Sequence, residues 1–331
     1  MSGVSVVVPT LGRPSLGALL TALTTGKPCP LPMEIVLVDD RPDRSAPLTV
    51  PPGSPVTVVE GRVAGPAAAR NAGWRAAHYE WVAFLDDDVL PDSDWLDRLG
   101  ADLIEADALV GGVQGNLRVP LPSDRRPTDW ERVTAGLADG AWITADMAYR
   151  RAALTRTGGF DERLPRAFRE DAELAHRVRQ QGWTLRRGER RVTHPVRPEG
   201  PWVSVRSQRG NADDALLRRL YGPGWRHALQ IPPGRRPRHA AVTSAGLAAL
   251  TCGLAALGTH RRGWTVAATL SAVAWAAGTA EFTAARIVPG PRDPREVATM
   301  LATSAVIPPL AVAHWLRGWW RWRSAGTEAS R

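Results

Sequence analysis

Three consecutive aspartates, Asp86, Asp87 and Asp88, follow directly after an apolar run at residues 81–85. The run is short and rich in aromatic and β-branched residues, which is typical of a buried parallel strand. Ligand sites in open α/β sheets lie just beyond the carboxyl ends of such strands. Adjacent carboxylates repel one another, and their oxygen atoms suit a hard divalent cation such as Mg²⁺ or Mn²⁺. The pattern predicts a metal-binding turn; the alternative is a solvated turn that caps a helix starting near Asp94.

A further carboxylate that could do chemistry is Asp171, in the first turn of a helix predicted to begin at Glu170. The apolar positions of this helix are Leu174, Ala175 and Val178, and Asp171 lies on the same inward face. Interaction with the helix dipole contributes only about 0.3–1 kcal/mol at an exposed position and does not explain an inward carboxylate. We therefore interpret Asp171 as a candidate catalytic base.

Alternating strand and helix patterns must position these carboxylates. Strand patterns at residues 4–8, 34–38 and 56–59 alternate with helix patterns that begin at Ser15 and span 66–78. Several strands end in polar residues, which is expected when βα units build a largely parallel sheet with one polar edge. Beyond it we predict further strands and helices at residues 95–103, 108–113, 140–149, 151–157, 170–182, 184–187, 191–193 and 202–221.

Charge and cysteine content limit the possible classes of protein. The formal net charge is +9. Residues 232–331 hold 12 arginines and 4 acidic residues, whereas residues 1–231 hold 30 basic and 29 acidic residues. The basicity therefore belongs to the C-terminal region, and no nucleic-acid motif accompanies it, so we expect no nucleic-acid partner. Cys29 and Cys252 lie far apart without metal-type spacing, which fits a reducing compartment.

Three apolar stretches follow a Pro-Pro-Gly boundary at residues 232–234: residues 240–258, 264–280 and 298–316. A bilayer span needs about 20 apolar residues, so each stretch is near the lower limit. We expect two or three membrane spans; a soluble helical cap is the alternative. Arginines before the first stretch predict a multi-pass membrane protein with its catalytic domain in the cytoplasm, although arginines in the next loop oppose this orientation.

A set of short motifs resembles one known family. The set comprises residues 4–10 and 35–40, Arg-Asn-Ala-Gly at 70–73, residues 84–88, Gly-Gly-Phe-Asp-Glu at 158–162, and Glu170-Asp171. In this order and spacing they resemble the family 2 inverting glycosyltransferases of GT-A fold, in a membrane-attached bacterial form. The resemblance covers residues 3–195. It implies the α/β class with a Rossmann-like mixed sheet, as in nucleotide-diphospho-sugar transferases, followed by a C-terminal helical transmembrane region.

The resemblance also implies roles for individual residues. The donor nucleotide and its diphosphate would contact Pro9, Thr10, Asp39, Arg70 and Asp86. A divalent metal, Mg²⁺ or Mn²⁺, would bind Asp86 and Asp88, and His194 is a further candidate ligand, although a lone His after a strand also suits a purely structural role. Asp171 would be the general base. Arg41-Pro42 departs from the small turn that many relatives have after the second strand.

The expected activity is inverting transfer of a hexosyl or related group from a nucleotide diphosphate sugar to a hydroxyl acceptor. A membrane-bound enzyme suggests a lipid-linked acceptor or a cell-envelope glycan. The Gln-x-x-Arg-Trp motif of processive synthases is absent from the sequence, which favours single additions. The expected domains are residues 1–230, catalytic, and residues 231–331, membrane-bound. A non-catalytic membrane-bound scaffold that retains the fold is the alternative.

Overall fold

The computed structural model describes residues 2–325, which divide into two compact units. The N-terminal unit consists of Met1–Pro120, Thr134–Arg197 and Ala228–Ile231. The C-terminal unit consists of Leu121–Val133, Pro198–His227 and Pro232–Arg331. Each unit consists of several segments of the chain, so the boundary between the units is not a single point at residue 230. The two expected domains, residues 1–230 and 231–331, stay a prediction.

One mixed sheet of eight strands forms the centre of the N-terminal unit, in the order β3-β2-β1-β4-β7-β6-β8-β5. Its strands are β1 (Val4–Thr10), β2 (Met33–Asp39), β3 (Val56–Glu60), β4 (Trp81–Leu85), β5 (Leu90–Pro91), β6 (Val110–Arg118), β7 (Asp146–Arg150) and β8 (Thr184–Thr193). β1 to β4 are mutually parallel, whereas β7 runs antiparallel to both β4 and β6. The predicted mixed α/β sheet is confirmed.

Helices cover both faces of this sheet. They are α1 (Ser15–Thr25), α2 (Pro66–Ala76), α3 (Trp95–Ile104), α5 (Arg151–Thr157) and α6 (Glu170–Gln180). Side chains of β1 alternate between the faces: Val6 and Val8 pack with the leucines of α1 and α3, and Val7 packs with α2, α5 and α6. Gly73 permits the close approach of α2, because a Cβ there would lie 2.3 Å from Cγ1 of Val7.

Two predicted strands differ in the structure. The strand expected at 140–149 is reduced to β7, because the side chain of Gln114 bonds to the backbone of Gly140 and Trp142 in place of a neighbouring strand. The two short strands expected at 184–187 and 191–193 form the single strand β8, with an irregularity opposite β6. Asn116 spans this irregularity, since its amide nitrogen donates to the carbonyl oxygen of Gly188 at 2.7 Å.

The C-terminal unit is helical. Its elements are α4 (Asp129–Ala135), α7 (Val203–Arg206), a 3₁₀ turn (Ser207–Gly210), α8 (Asn211–Tyr221), α9 (Trp225–Ala228), α10 (Arg236–Thr259), α11 (Arg262–Ile287) and α12 (Pro294–Arg321). Both α4 and α9 extend past the edge of the unit. The three apolar stretches lie in α10, α11 and α12. Within residues 2–325, α10 and α12 are long and apolar enough to cross a membrane, and α11 is not among such helices. The helix α12 continues through Pro308 and Pro309.

Candidate active site

The ends of three adjacent parallel strands supply most of the predicted site residues. Pro9 and Thr10 at the end of β1 lie in register with Val38 and Asp39 at the end of β2. The aspartate turn follows β4, the other neighbour of β1. Because carboxyl ends of parallel strands meet at one edge of a sheet, the fold places these candidate residues at the same edge.

The three consecutive aspartates have different partners. Oδ1 of Asp86 accepts a hydrogen bond from Nη2 of Arg70 at 2.8 Å. Asp87 is buried and accepts a hydrogen bond from the hydroxyl of Thr10 at 2.7 Å, and it also pairs with Arg13. Asp88 is 8% exposed, and its Oδ2 forms an ion pair with Nε of Arg197 at 3.0 Å. The alternative of a solvated turn is wrong, because Asp87 and Asp88 are both buried.

A group of possible metal ligands forms around this turn. One ligand atom each from Asp86, Asp88 and His194 lies within 4.8 Å of the others. Nε2 of His194 is 3.8 Å from Oδ1 of Asp88, and its Nδ1 is 3.2 Å from the carbonyl oxygen of Pro195. Burial and the neighbouring Asp86 raise the pKa of Asp88. Two carboxylates and an imidazole this close together are a ligand set that fits a divalent metal.

Arg70 lies between the aspartate turn and the start of α6. Its side chain is 3% exposed; Nη2 donates to Asp86, and Nη1 donates to Oε1 of Glu170 at 2.8 Å. Burial raises the pKa of Glu170, and the repulsion of Asp171 adds to the effect. Both Nη atoms of Arg70 are therefore already engaged by carboxylates. Its expected contact with a diphosphate stays a prediction.

Asp171 is the second residue of α6. It is half-buried, and its Oδ1 accepts a hydrogen bond from the backbone nitrogen of Ala172 at 2.7 Å. Burial raises the pKa of its carboxyl group above the ordinary value. Arg169, which precedes α6, has a φ of 77°, a left-handed conformation that is uncommon for a residue with a side chain. Asp171 is thus a carboxylate with a raised pKa in the first turn of α6, and its role as a general base stays a prediction.

Two of the predicted motifs hold each other in place. The side-chain amide of Asn71 donates to the carbonyl oxygen of Phe160 and accepts from its backbone nitrogen, both at 2.9 Å. The same amide nitrogen donates to Glu162 at 2.9 Å. Gly159 has a φ of 81°, and a Cβ there would lie 2.4 Å from Oδ1 of Asn71. The loop that leads to α6 is therefore tied to α2.

Asp39 is engaged by the arginine that departs from the usual turn. Nε and Nη2 of Arg41 donate to its two oxygens at 2.9 and 2.8 Å. This pairing lowers the pKa of Asp39. The carboxylate thus stays ionised at the end of β2, with the guanidinium group of Arg41 against it.

Four residues of the site were not among the predicted site residues. Glu170 and Asp87 stand next to predicted residues, and only their burial and partners distinguish them. Arg13 pairs with Asp87, and Nε of Arg197 lies 3.0 Å from Oδ2 of Asp88. Both arginines lie in loops outside any motif, so no sequence pattern identifies them.

Part of the chain is similar in sequence to known glycosyltransferases and to a hyaluronan synthase. Residues 5–151 match the model of the family named Glycosyl transferase family 2. A pre-mycofactocin glycosyltransferase of Mycobacterium tuberculosis is 32% identical over 133 residues, which are 37% of this chain and 28% of that protein. A hyaluronan synthase of Pasteurella multocida is 29% identical over 113 residues, which are 33% of this chain and 12% of that protein. The matched part thus spans less than a third of either relative.

A solved structure shows the same fold over nearly the whole chain. It is the mannosyltransferase PcManGT from Pyrobaculum calidifontis in complex with GDP-Man and Mn²⁺. Its TM-score is 0.53 at 20% sequence identity, and the match covers 97% of this chain and 88% of that one. Residues 5–151 are thus similar to glycosyl transferase family 2, and the chain has the GT-A fold.

Proposed function

We propose that this chain transfers a sugar from a nucleotide diphosphate sugar to a hydroxyl acceptor with inversion at the anomeric carbon. One observation carries the proposal: Arg70 joins Asp86, a member of the metal-ligand group, to Glu170, the neighbour of Asp171. Arg70 thereby links the residues proposed to bind the donor to the helix start that carries the proposed base. A non-catalytic scaffold has no use for this combination.

The side chains suggest a single-displacement mechanism. Asp171 accepts the proton of the acceptor hydroxyl while that oxygen attacks the anomeric carbon, and the nucleotide diphosphate leaves from the opposite face. The raised pKa of Asp171 makes it a stronger base than an ordinary aspartate. A divalent cation held by Asp86, Asp88 and His194 would offset the negative charge on the leaving diphosphate.

The nucleotide pocket in this proposal lies at the ends of β1 and β2. Pro9, Thr10 and Asp39 line it, and the ionised Asp39 supplies a hydrogen-bond acceptor. The hydroxyl of Thr10 bonds to Asp87 and accepts from the backbone nitrogen of Gly12 at 2.9 Å. Thr10 therefore shapes the loop over the pocket. The structure of PcManGT is a complex with GDP-Man, which supports a sugar nucleotide as the donor here.

The proposed acceptor is lipid-linked or a cell-envelope glycan, and the proposed location is a membrane, with several spans and the catalytic unit in the cytoplasm. Support comes from the side chains of α10, since Leu250, Leu254 and Leu257 are 67%, 70% and 74% exposed. Such a row of exposed leucines is unfavourable in water. A bilayer would remove these side chains from water.

The test uses the purified full chain in a nonionic detergent. UDP- and GDP-sugars are supplied with Mn²⁺, and donor binding is measured as thermal stabilisation, about 2.7 kcal/mol at 100 times the Kd. Release of nucleoside diphosphate, with transfer of the sugar to water, is then followed with Mn²⁺ and with EDTA. Release that stops in EDTA and in Asp171→Asn supports the proposal. Donor binding without release under any condition supports the scaffold instead, and absence of binding to every donor contradicts both.

A further inference from the structure

Two arginines of the C-terminal unit lie over the rings of two stacked tryptophans, and a third arginine, Arg218, lies in electrostatic range of one of them. The indole rings of Trp315 and Trp319 on α12 stack with centroids 5.1 Å apart and an interplanar angle of 17°. The guanidinium carbon of Arg219 on α8 lies 3.3 Å from the ring centroid of Trp319. That of Arg236, the first residue of α10, lies 4.8 Å from the ring centroid of Trp315. We call these four residues and Arg218 the arginine–tryptophan cluster.

Within residues 2–325, the arginines of this cluster form no ion pair with a carboxylate. Arg218, Arg219 and Arg236 are half-buried, and none of them forms an ion pair in this part of the chain. Arg218 lies close enough to Arg236 for their charges to repel each other, and Asp214 lies in electrostatic range as well. Asp214 forms its ion pair with another arginine. The positive charge of the cluster is therefore incompletely balanced.

Two other arginines of the same unit form ion pairs with acidic residues. Arg235 pairs with Glu281, and Arg286 donates to Asp129 at 2.8 Å. In the cluster, by contrast, Nε of Arg219 and Nε1 of Trp315 are buried without an acceptor in the described structure. Buried donors without an acceptor, next to like charges, cost free energy. A negatively charged acceptor bound to the cluster would reduce this cost.

A phosphate group has the chemistry that would complete this cluster. Guanidinium groups form two parallel hydrogen bonds to phosphate oxygens, and they stack on indole rings while doing so. The cluster also contains the first residue of α10, whose following turns expose Leu247 and Leu250. A phosphate bound at the start of this helix can thus carry apolar chains that lie along the exposed leucines.

We propose that the arginine–tryptophan cluster is a binding site for the phosphate group of a membrane lipid. Basic pockets between membrane helices commonly bind lipid headgroups by this chemistry. The site belongs wholly to the C-terminal unit. It does not depend on the proposed sugar transfer, so the two proposals can fail separately.

The test measures binding of a short-chain lipid phosphate to the full chain in a nonionic, phosphate-free detergent. The probe is dihexanoyl phosphatidic acid, compared with inorganic phosphate and with zwitterionic dihexanoyl phosphatidylcholine. The test variant is Arg218→Gln with Arg236→Gln. The matched control is Arg261→Gln with Arg262→Gln, which removes the same charge from exposed positions at the start of α11.

We expect saturable binding of phosphatidic acid, a Kd raised at least about tenfold in the test variant, and a change below about twofold in the control. If the test variant does not fold, Arg236→Gln alone is measured, with an expected rise of at least about threefold. Equal Kd values in the test and control variants, or no saturable binding, would overturn the proposal. Inorganic phosphate binding as tightly as the lipid would show that free phosphate, not lipid, is the ligand, which also overturns it.

Discussion

Arg70 and Glu170 form a buried ion pair with an Nη1–Oε1 distance of 2.8 Å, although they lie on different helices a hundred positions apart. The other Nη atom of Arg70 holds Asp86. The start of α6, which carries the proposed base Asp171, and the turn that carries the proposed metal ligands are thus fixed to one side chain. Oε2 of Glu170 has no hydrogen-bond donor in the described structure, so its burial depends on Arg70.

Replacing Arg70 should therefore destabilise the N-terminal unit. Arg70→Met leaves the carboxylates of Glu170 and Asp86 without a counter-charge, and loss of one partner of a buried pair costs about 3–5 kcal/mol. Denaturation of the full chain in detergent, followed by circular dichroism, measures this loss. Arg75→Met, an exposed change on the same helix, should cost less than about 1 kcal/mol. Similar losses in the two variants would show that the ion pairs of Arg70 contribute no more to stability than an exposed arginine does.

The proposed base gives a second prediction. Asp171→Asn removes the proton acceptor but keeps the size of the side chain, so turnover should fall about 10²- to 10⁴-fold. Donor affinity should stay within about threefold, because the base acts on the acceptor. Asp139→Asn, at an exposed position of the same unit, is the control and should keep full turnover. More than about a tenth of wild-type turnover in Asp171→Asn would rule out this base.

The pH dependence of transfer follows from the same carboxyl group. Burial raises the pKa of Asp171 above its ordinary value, which is about 3.9 for aspartate. Only the ionised form accepts a proton, so kcat/KM should rise with pH through the raised pKa and level off above it. The acid limb of the profile should therefore lie above the ordinary aspartate pKa of about 3.9. Activity that is already maximal near about pH 4, in a chain still folded there, would contradict the assignment.

Neighbouring aspartates should respond differently to substitution. Asp88→Ala removes a proposed metal ligand, so Mn²⁺-dependent donor binding should weaken at least about tenfold, while the Tm should fall little. Asp87→Ala removes the acceptor for Thr10 and Arg13 and leaves them unpaired, which should lower the stability by about 1–3 kcal/mol. Donor titration with and without Mn²⁺, together with thermal unfolding, separates the two effects. Full binding in EDTA would contradict the metal role of Asp88.

Local sequence patterns were enough to predict most of the helices and strands. Four leucines at helical spacing predict α1, and all of them are buried in the core. The β-branched runs at β1 and β2 predict strands, and the polar residues after them lie at adjacent register positions. These features depend on residues close in sequence, so periodicity and turn chemistry identify them.

Features that depend on distant side chains were not predictable. The shortened β7 follows from the side chain of Gln114, which no local pattern places beside residues 140–142. Asp87 and Asp88 are chemically identical in sequence; only their tertiary partners, Thr10 for one and His194 for the other, separate a structural carboxylate from a candidate ligand. Arg197 joins the site from an irregular loop and carries no sequence signal.

Exposed leucines on α10 give the last prediction. If this helix lies in a bilayer, the wild-type chain should stay in the membrane fraction after carbonate washing. Leu250→Asp with Leu254→Asp should release a large part of it, because each charge near the centre of a span costs about 2.5–3.5 kcal/mol. Ile104→Asp with Leu109→Asp, at exposed apolar positions of the N-terminal unit, should leave the distribution unchanged. A wild-type chain found wholly in the soluble fraction would contradict membrane attachment and make a soluble acceptor the better hypothesis.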